Sequence, residues 1–178
     1  MKLKLALLFF LGLYGFSSNA QKQSINWMSI ENALEASAKN PKKIIIDIYT
    51  DWCGWCKVMD RETFGNEDII KYINENYYAV KLNAEKQTSF SYKGQVYNLE
   101  AVNGKTINSF VLAISNGSIG YPALAYLDEQ QNLLTLLTGY QKKEQLLPIL
   151  KFLHSDSFKS MTYEEFLKKE SSTTTLQQ

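Results

Sequence analysis

The chain has two cysteines, Cys53 and Cys56, and both lie in the stretch TDWCGWCK at residues 50–57. A pair at this C-x-x-C spacing is compatible with a redox centre, with half of a metal site, or with an inert structural bridge. A structural disulfide stabilises a fold mainly by restricting the unfolded chain, and a loop closed across two residues restricts almost nothing. The structural interpretation is therefore weak, whereas the redox and metal interpretations remain open.

The surroundings of the pair favour redox chemistry. Cys53 follows a predicted buried strand and opens a predicted helix. At that point, unpaired backbone N–H groups and the helix dipole lower the pKa of a thiol below its usual value of about 8.5. Cys56 lies one turn into the helix on the same side, so its thiol can attack a mixed disulfide formed at Cys53. The spacing supplies a nucleophile and a resolving thiol.

A carboxyl group on the preceding strand offers a proton acceptor. Asp47 interrupts the apolar run IIIDIY six residues before Cys53. Burying a carboxylate costs several kcal/mol unless the group is protonated or paired, so a carboxylate kept in such a place often has a function. Because side chains alternate along a strand, Asp47 points away from Ile46 and Ile48, and a raised pKa would let it accept a proton from Cys56. Its position is equally compatible with a strand-end aspartate bonded to backbone or water.

Metal and hydrolytic chemistries fit the composition poorly. A zinc site needs about four ligands, and the chain offers two cysteines and one distant histidine, His154. We expect His154 to interact with the dipole at a helix C-terminus. Haem attachment would need a histidine directly after Cys56, where Lys57 stands. A Cys–His hydrolase has no other candidate base. We therefore expect no metal.

The elements that must position these residues follow from hydrophobic periodicity. Ser29 caps a predicted helix that ends at Asn40-Pro41, and the β-branched run KKIIIDIYT predicts a strand buried on both faces. A helix begins at the cysteines, another covers about 67–76, and YYAVKLN is the next strand. A hairpin is predicted for YPALAYLDEQQNLLTLLTGY. A helix is predicted for KKEQLLPILKFLHS, and Pro148 predicts that this helix is kinked or starts late. This order predicts an α/β fold with a central mixed sheet flanked by helices.

Two segments break the pattern. Residues of about 85–118 predict a turn-laden insert or small hairpin, within which KTINSFVLAIS has helical spacing from Ile107 onward. The insert's Phe90, Tyr92 and Tyr97 could shape a binding surface, although aromatic residues in a loop more often form a small satellite core. Residues 155–178 predict one short amphipathic helix, TYEEFLKKE, and a disordered polar end, SSTTTLQQ.

The first twenty residues predict a secretory signal peptide. They begin with two lysines, run apolar from Leu5 to Phe16 and close on small residues at Ala20. The apolar run is shorter than the about 20 residues that span a bilayer, so a cleaved signal is favoured over an uncleaved anchor. We expect a mature chain from Gln21 in an oxidising, periplasmic compartment, where a cysteine pair is disulfide-bonded for part of its life. The net charge of +1 predicts no nucleic-acid partner.

The chain resembles the thioredoxin superfamily, in particular secreted thioredoxin-like proteins of bacteria. The resemblance lies in the stretch IIIDIYTDWCGWCK and in the later stretch GYPALAYLDEQQNLL. The likeness covers roughly residues 25–153. The strand aspartate, Trp52 before the first cysteine, Lys57 after the second and Pro122 at the start of the hairpin strand all match the family pattern. The Gly54-Trp55 dipeptide departs from the family's common Gly-Pro and leaves the redox direction open.

The resemblance implies a role for each matching residue. Cys53 would be the exposed nucleophile and Cys56 the buried resolving thiol, with Asp47 as a proton acceptor acting through water. Pro122 would be a cis-proline facing the cysteines. The residues expected to contact the substrate are Trp52, Gly54, Trp55, Tyr121, through its backbone, and Pro122.

The resemblance also implies a domain organisation and a function. Residues 1–20 would be the signal peptide, 21–154 a thioredoxin-like domain and 155–178 a C-terminal extension. We expect a secreted thiol–disulfide oxidoreductase whose only redox group is the Cys53–Cys56 disulfide, with no cofactor. Reduction or isomerisation of protein disulfides is the favoured direction, and a reductase would draw electrons from a membrane partner. The alternative is a non-catalytic thioredoxin-like binding or redox-sensing module.

Overall fold

The computed structural model describes residues 23–102 and 104–175. The predicted signal peptide, residues 1–20, lies outside the described residues. Within the described part of the chain, no helix combines the length and the apolar character needed to cross a membrane.

A mixed five-stranded sheet forms the centre of the fold. The described strands are β1 (Trp27–Met28), β2 (Ile44–Tyr49), β3 (Tyr78–Asn83), β4 (Phe90–Tyr92), β5 (Gln95–Tyr97), β6 (Leu99–Val102), β7 (Lys105–Asn108), β8 (Ala123–Leu127) and β9 (Leu133–Thr138). The central sheet has the order β1-β3-β2-β8-β9. The strands β1, β3 and β2 run parallel, whereas β8 is antiparallel to both β2 and β9.

Helices cover both faces of this sheet. They are α1 (Ile30–Lys39), α2 (Gly54–Glu62), α3 (Glu67–Asn76), α4 (Ser109–Ile114), α5 (Lys143–His154) and α6 (Tyr163–Thr175), with a 3-10 turn at Ser157–Lys159. The Ser29 side chain caps α1 by accepting a hydrogen bond from the Asn32 N–H. Pro148 lies inside α5. The predicted α/β architecture with a mixed central sheet is confirmed.

Two apolar clusters lie on opposite faces of the sheet. Ile46 and Ile48 belong to the cluster beneath α1 and α4. Ile45 belongs to the other cluster, together with Met59 of α2 and residues of α3 and α5. Because side chains alternate along β2, Asp47 shares the α2 face with Ile45. The sheet therefore directs this carboxyl group toward the helix that carries the cysteines.

The insert between β3 and β8 forms two hairpins, β4–β5 and β6–β7. The Phe90 and Tyr97 rings are buried, with centroids 5.3 and 5.4 Å from that of Phe110, and they belong to the main cluster beneath α1 and α4 rather than to a separate satellite core. The helix predicted from Ile107 onward is wrong at its start, because Ile107 pairs with Glu100 in the second hairpin. The helix begins only after Asn108, whose side chain accepts a hydrogen bond from the Phe110 N–H at 2.9 Å.

The C-terminal helix is longer than the sequence pattern predicts. Residues 171–175, which we expected to be disordered, continue α6 to Thr175. The start of the helix is anchored by Phe166, which is buried and whose ring centroid lies 5.3 Å from that of Phe152 in α5. Once a helix is nucleated, each added residue contributes a further backbone hydrogen bond, so the polar residues extend it.

Candidate active site

The topology brings the cysteine loop and Pro122 to the same edge of the sheet. The strands β2 and β8 are antiparallel, and Ile48 near the end of β2 pairs with Ala123 at the start of β8. Cys53 comes shortly after β2, and its N–H donates to the Thr50 carbonyl oxygen at 3.2 Å. Pro122 directly precedes β8. The two ends of these strands therefore converge on one site.

Cys53 and Cys56 form a disulfide at the start of α2, with an S–S distance of 2.11 Å and a Cα–Cα distance of 5.3 Å. Cys53 is the N-cap of the helix. The backbone N–H of Cys56 donates to the Cys53 sulfur at 3.0 Å. One of the unpaired amides at the helix N-terminus is thus directed at the sulfur predicted to be the nucleophile.

The expectation that Cys53 is the exposed member of the pair is wrong. The exposed fractions of Cys53 and Cys56 are 4% and 3%. Cys56 lies on the buried face of α2 with Met59, and the disulfide draws the Cys53 sulfur toward that face. Exposure therefore does not distinguish the two sulfurs in the oxidised protein, and the N-cap position of Cys53 is what distinguishes them.

The residues around the pair supply the exposed surface. Trp52 and Trp55 are 61% and 62% exposed. Trp52 meets Tyr121 edge to face, with ring centroids 5.8 Å apart, whereas Trp55 packs on Tyr140 at 5.5 Å. Gly54 between the cysteines faces open space, because a Cβ added there would have nothing within 4 Å. The fold thus brings Trp52 and Tyr121 together and turns Trp55 toward a different aromatic partner.

The Tyr121–Pro122 peptide bond is cis. Pro122 is buried, and its carbonyl oxygen accepts a hydrogen bond from the Gly139 N–H at 2.7 Å. Tyr121 is half-buried, and burial raises the pKa of its hydroxyl to about 12. The Tyr121 side chain is therefore neutral at physiological pH, and its ring packs against Trp52 in the site.

Asp47 is buried and lies in an ion-paired network. Burial raises the pKa of Asp47 to about 6, although the Lys81 ammonium lowers it. The Lys81 nitrogen lies 3.2 Å from Asp47 Oδ2 and 2.5 Å from Asp60 Oδ1 on α2. The carboxyl group is thus paired with a side chain, and desolvation outweighs the attraction of the cation. A carboxyl group with such a pKa exchanges protons readily near neutral pH.

Sequence reasoning missed Lys81, although a signal was present. Lys81 interrupts the apolar strand YYAVKLN as Asp47 interrupts its own strand. The parallel register of β2 and β3 pairs Asp47 with Lys81. Sequence reasoning also missed Glu85, whose two carboxylate oxygens each accept from the Trp52 indole N–H at 3.0 Å. A charged residue in each of two neighbouring strands is the pattern that could have indicated the ion pair.

We expect Lys81→Met to raise the pKa of the Asp47 carboxyl group above its value of about 6. The substitution removes the ammonium group 3.2 Å from Asp47 Oδ2. An opposite charge at this distance lowers a carboxyl pKa by about 1–3 units, so its loss raises the pKa by about one unit or more. Carbon-13 NMR titration of the Asp47 carboxyl group in the oxidised protein measures the change.

The matched control is Lys71→Met, which removes an exposed lysine from α3 and so alters the net charge equally. Because exposed charges farther apart than about 10 Å are largely screened by salt, this variant should leave the Asp47 titration unchanged. Equal shifts in the two variants would mean that net charge, not the ion pair, controls this carboxyl group.

The described residues contain no cluster of three or more histidine, cysteine, aspartate or glutamate side chains arranged to hold a metal ion. His154 ends α5, and its Nδ1 lies 3.4 Å from the Tyr72 hydroxyl oxygen.

Comparison with known proteins relates this chain to a large family. The family described as thioredoxin-like domain matches residues 30–154. The thiol:disulfide interchange protein DsbD of Colwellia psychrerythraea is 26% identical over 132 residues, which cover 71% of this chain and 19% of that protein. An uncharacterized protein of Caenorhabditis elegans is 29% identical over 97 residues, covering 54% of this chain and 11% of that protein. The chain thus spans between about a tenth and a fifth of the length of these curated relatives.

Solved structures share the fold. The solution structure of a putative disulphide-isomerase from Bacteroides thetaiotaomicron aligns with a TM-score of 0.53 at 23% sequence identity, covering 75% of this chain and 95% of that one. At this level of identity, the likeness is one of fold.

Proposed function

Because this chain belongs to the thioredoxin-like domain family, we propose that it is a thiol–disulfide oxidoreductase that exchanges disulfides with protein substrates through Cys53 and Cys56. One observation carries the proposal: Cys53 caps α2, and the Cys56 N–H donates to its sulfur at 3.0 Å. When the pair is reduced, the same N–H and the helix dipole stabilise a thiolate at Cys53. The relationship to a thiol:disulfide interchange protein supports this chemistry.

Reduction of a substrate proceeds in two exchanges. The Cys53 thiolate attacks one sulfur of the substrate disulfide, forms a mixed disulfide and releases the other substrate sulfur as a thiolate, which takes up a proton. The Cys56 thiol then loses its proton, attacks the Cys53 sulfur and releases the second substrate thiolate. The substrate gains two electrons and the Cys53–Cys56 disulfide forms, the state seen in the structure.

We assign Asp47 the role of proton acceptor in the second step. Its carboxyl group shares the α2 face of the sheet, and burial raises its pKa to about 6. At neutral pH, it is mostly ionised and able to accept the Cys56 proton through a water molecule. Before the transfer, the Lys81 ammonium at 3.2 Å pairs with the ionised Asp47; once Asp47 is protonated and neutral, Lys81 keeps its ion pair with Asp60 at 2.5 Å.

The proposal also covers export of the protein and the direction of disulfide exchange. Cleavage after Ala20 would release the chain from Gln21 into the periplasm. An enzyme that reduces or isomerises disulfides in that oxidising compartment needs electrons from a membrane partner. The exposed tryptophans beside the disulfide, together with Gly54 and the half-buried Tyr121, would form the surface on which substrate or donor docks, and Pro122 would lie buried directly behind Tyr121.

The reduction potential of the Cys53–Cys56 pair tests the direction. A potential near the about −270 mV of thioredoxin would support a reductase, and a value near about −180 mV an isomerase. A value near about −120 mV, typical of a strong oxidant, would contradict both. Equilibration with glutathione buffers, read by tryptophan fluorescence, measures it, because Trp52 and Trp55 flank the sulfurs.

A non-catalytic binding or redox-sensing module is the second candidate, and one observation favours it: both cysteine residues are buried in the oxidised form, with exposed fractions of 4% and 3%. Insulin reduction with dithiothreitol as the electron source separates the two functions. An enzyme accelerates precipitation of the insulin B chain at catalytic concentrations. A module leaves the rate at the level of dithiothreitol alone.

A further inference from the structure

The second hairpin of the insert stands beside the active site and encloses a groove. This groove, here called the insert groove, has a volume of about 410 Å³. Its lining includes Trp52, Glu85 and Tyr121 from around the active site, and Val102, Lys105 and Ile107 from the second hairpin. Pockets that bind ligands typically have volumes of about 300–1,000 Å³. The insert groove is therefore large enough to bind a short polypeptide segment.

We propose that the insert groove binds the polypeptide segment flanking the substrate's disulfide cysteine, with a carboxylate of that segment paired to Lys105. The inference rests on the proposed function and names the substrate class: extended protein segments that carry apolar and acidic residues beside a disulfide.

Continuity with the sulfurs supports this occupant. Trp52 immediately precedes Cys53, and Tyr121 immediately precedes Pro122, so the wall that they share begins where the chemistry occurs. A substrate whose sulfur is bound to Cys53 must extend its chain along the surface. Where that chain passes over the Trp52–Tyr121 ring pair, it reaches the insert groove, because both side chains also line it.

The two hairpins of the insert differ in how far their apolar side chains are buried in the core. In the first hairpin, Phe90 and Tyr97 are 4% and 8% exposed and join the core. In the second hairpin, every residue of β6 is exposed, including Val102 at 37%. An apolar side chain that stays partly exposed in its own fold and lines a groove is available to pack on a partner.

The second hairpin contributes a cation to the groove, Lys105. The Lys105 ammonium lies 5.9 Å from the centre of the Trp52 ring. Within residues 23–102 and 104–175, no carboxylate forms an ion pair with it. The carboxylate in the lining, Glu85, accepts with both oxygens from the Trp52 indole N–H. The cation on the second hairpin thus remains free for a substrate carboxylate, and such complementarity gives specificity.

A matched pair of valine substitutions tests the surface. Val102→Asp alters the insert groove, and Val96→Asp makes the same change on β5, where the valine is 56% exposed and does not line it. The reduced protein is mixed with excess insulin or with 2-hydroxyethyl disulfide, and tryptophan fluorescence follows its oxidation. We expect Val102→Asp to lower the rate constant for insulin about 10-fold relative to that for the small disulfide.

Val96→Asp should keep the ratio of the two rate constants within about twofold of the wild-type value. Equal ratios in the two variants would overturn the proposal, and so would an equal loss on both substrates in Val102→Asp.

A charge reversal tests the chemistry of the occupant. Two peptides are prepared as mixed disulfides with thionitrobenzoate, one with the cysteine flanked by leucine and aspartate, the other by leucine and lysine. Wild-type protein should react several-fold faster with the acidic peptide, whereas Lys105→Glu should prefer the basic peptide. An unchanged preference in Lys105→Glu would contradict the pairing.

Binding without reaction separates this inference from the proposed function. Fluorescence anisotropy of the same two peptides, made with serine in place of cysteine, is measured on the oxidised protein. If exchange persists but peptide binding does not depend on Lys105, the insert-groove proposal is contradicted and the proposed oxidoreductase function is not. If the acidic peptide binds in a Lys105-dependent way but the protein exchanges disulfides with no substrate, the oxidoreductase function is contradicted and the insert groove is supported as a peptide-binding site.

Discussion

Replacing Cys53 by serine should abolish disulfide exchange, with a loss of at least about 1,000-fold in the rate of insulin reduction. A serine hydroxyl has no accessible ionised form at neutral pH and cannot form the mixed disulfide. The expected loss is large because the Cys53 sulfur is the one that the Cys56 N–H and the start of α2 stabilise as an anion. Stopped-flow fluorescence of the reduced variant with insulin measures it.

The matched variant Cys56→Ser distinguishes the two sulfurs. It keeps the nucleophile and removes the resolving thiol, so it should accumulate a covalent adduct between Cys53 and the substrate. Mass spectrometry under non-reducing conditions detects this adduct. If Cys53→Ser trapped the substrate instead, the roles would be exchanged, an outcome that the nearly equal burial of the two residues does not exclude.

Asp47→Asn should slow resolution of the mixed disulfide by about 10–100-fold at pH 7 and leave the initial attack within about threefold. The amide cannot accept the Cys56 proton, whereas the Cys53 thiolate is formed without it. Rapid mixing with a fluorescent disulfide peptide separates the two steps, because the first forms the adduct and the second releases it. Equal slowing of both steps would remove Asp47 from the resolving step.

The same substitution should stabilise the fold in a pH-dependent way. Burial raises the pKa of Asp47 from 3.8 to about 6. Between these values, the folded protein binds more protons than the unfolded chain, so the free energy of unfolding falls as the pH rises through this window. A difference of about two pH units corresponds to a loss of about 3 kcal/mol above pH 6.

Asp47→Asn removes that loss, although the amide remains a buried polar group. We expect the free energy of unfolding to exceed that of wild type by about 1–3 kcal/mol at pH 7.5, with the difference disappearing near pH 4. Urea titrations at the two pH values measure it and also show that the kinetic variant is folded. A variant less stable than wild type at pH 7.5 would indicate that the Lys81 ion pair outweighs the cost of burial.

The local features of this protein could be predicted from the sequence because they depend on neighbours along the chain. Because the sequence pattern predicts a helix that starts at Cys53, the spacing of Cys53 and Cys56 places the two residues one turn apart. Alternation in β2 likewise determines that Asp47 faces away from Ile46 and Ile48. Hydrophobic periodicity identified four strands of the central sheet and missed the two-residue β1, since burial of an apolar face is a local requirement repeated along each longer element.

Contacts between distant segments were decided only by the tertiary structure. Asp47 and Lys81 are brought together by the register of two parallel strands, which no single stretch of sequence specifies. The burial of Cys53 depends on the disulfide and on the packing of α2. The placement of Lys105 over Trp52 depends on how the second hairpin folds back. Spacing along the chain determines on which side of a helix or strand a residue lies. Pairing between elements determines which residues it contacts, and in this protein that pairing determines which charged groups lie near the sulfurs.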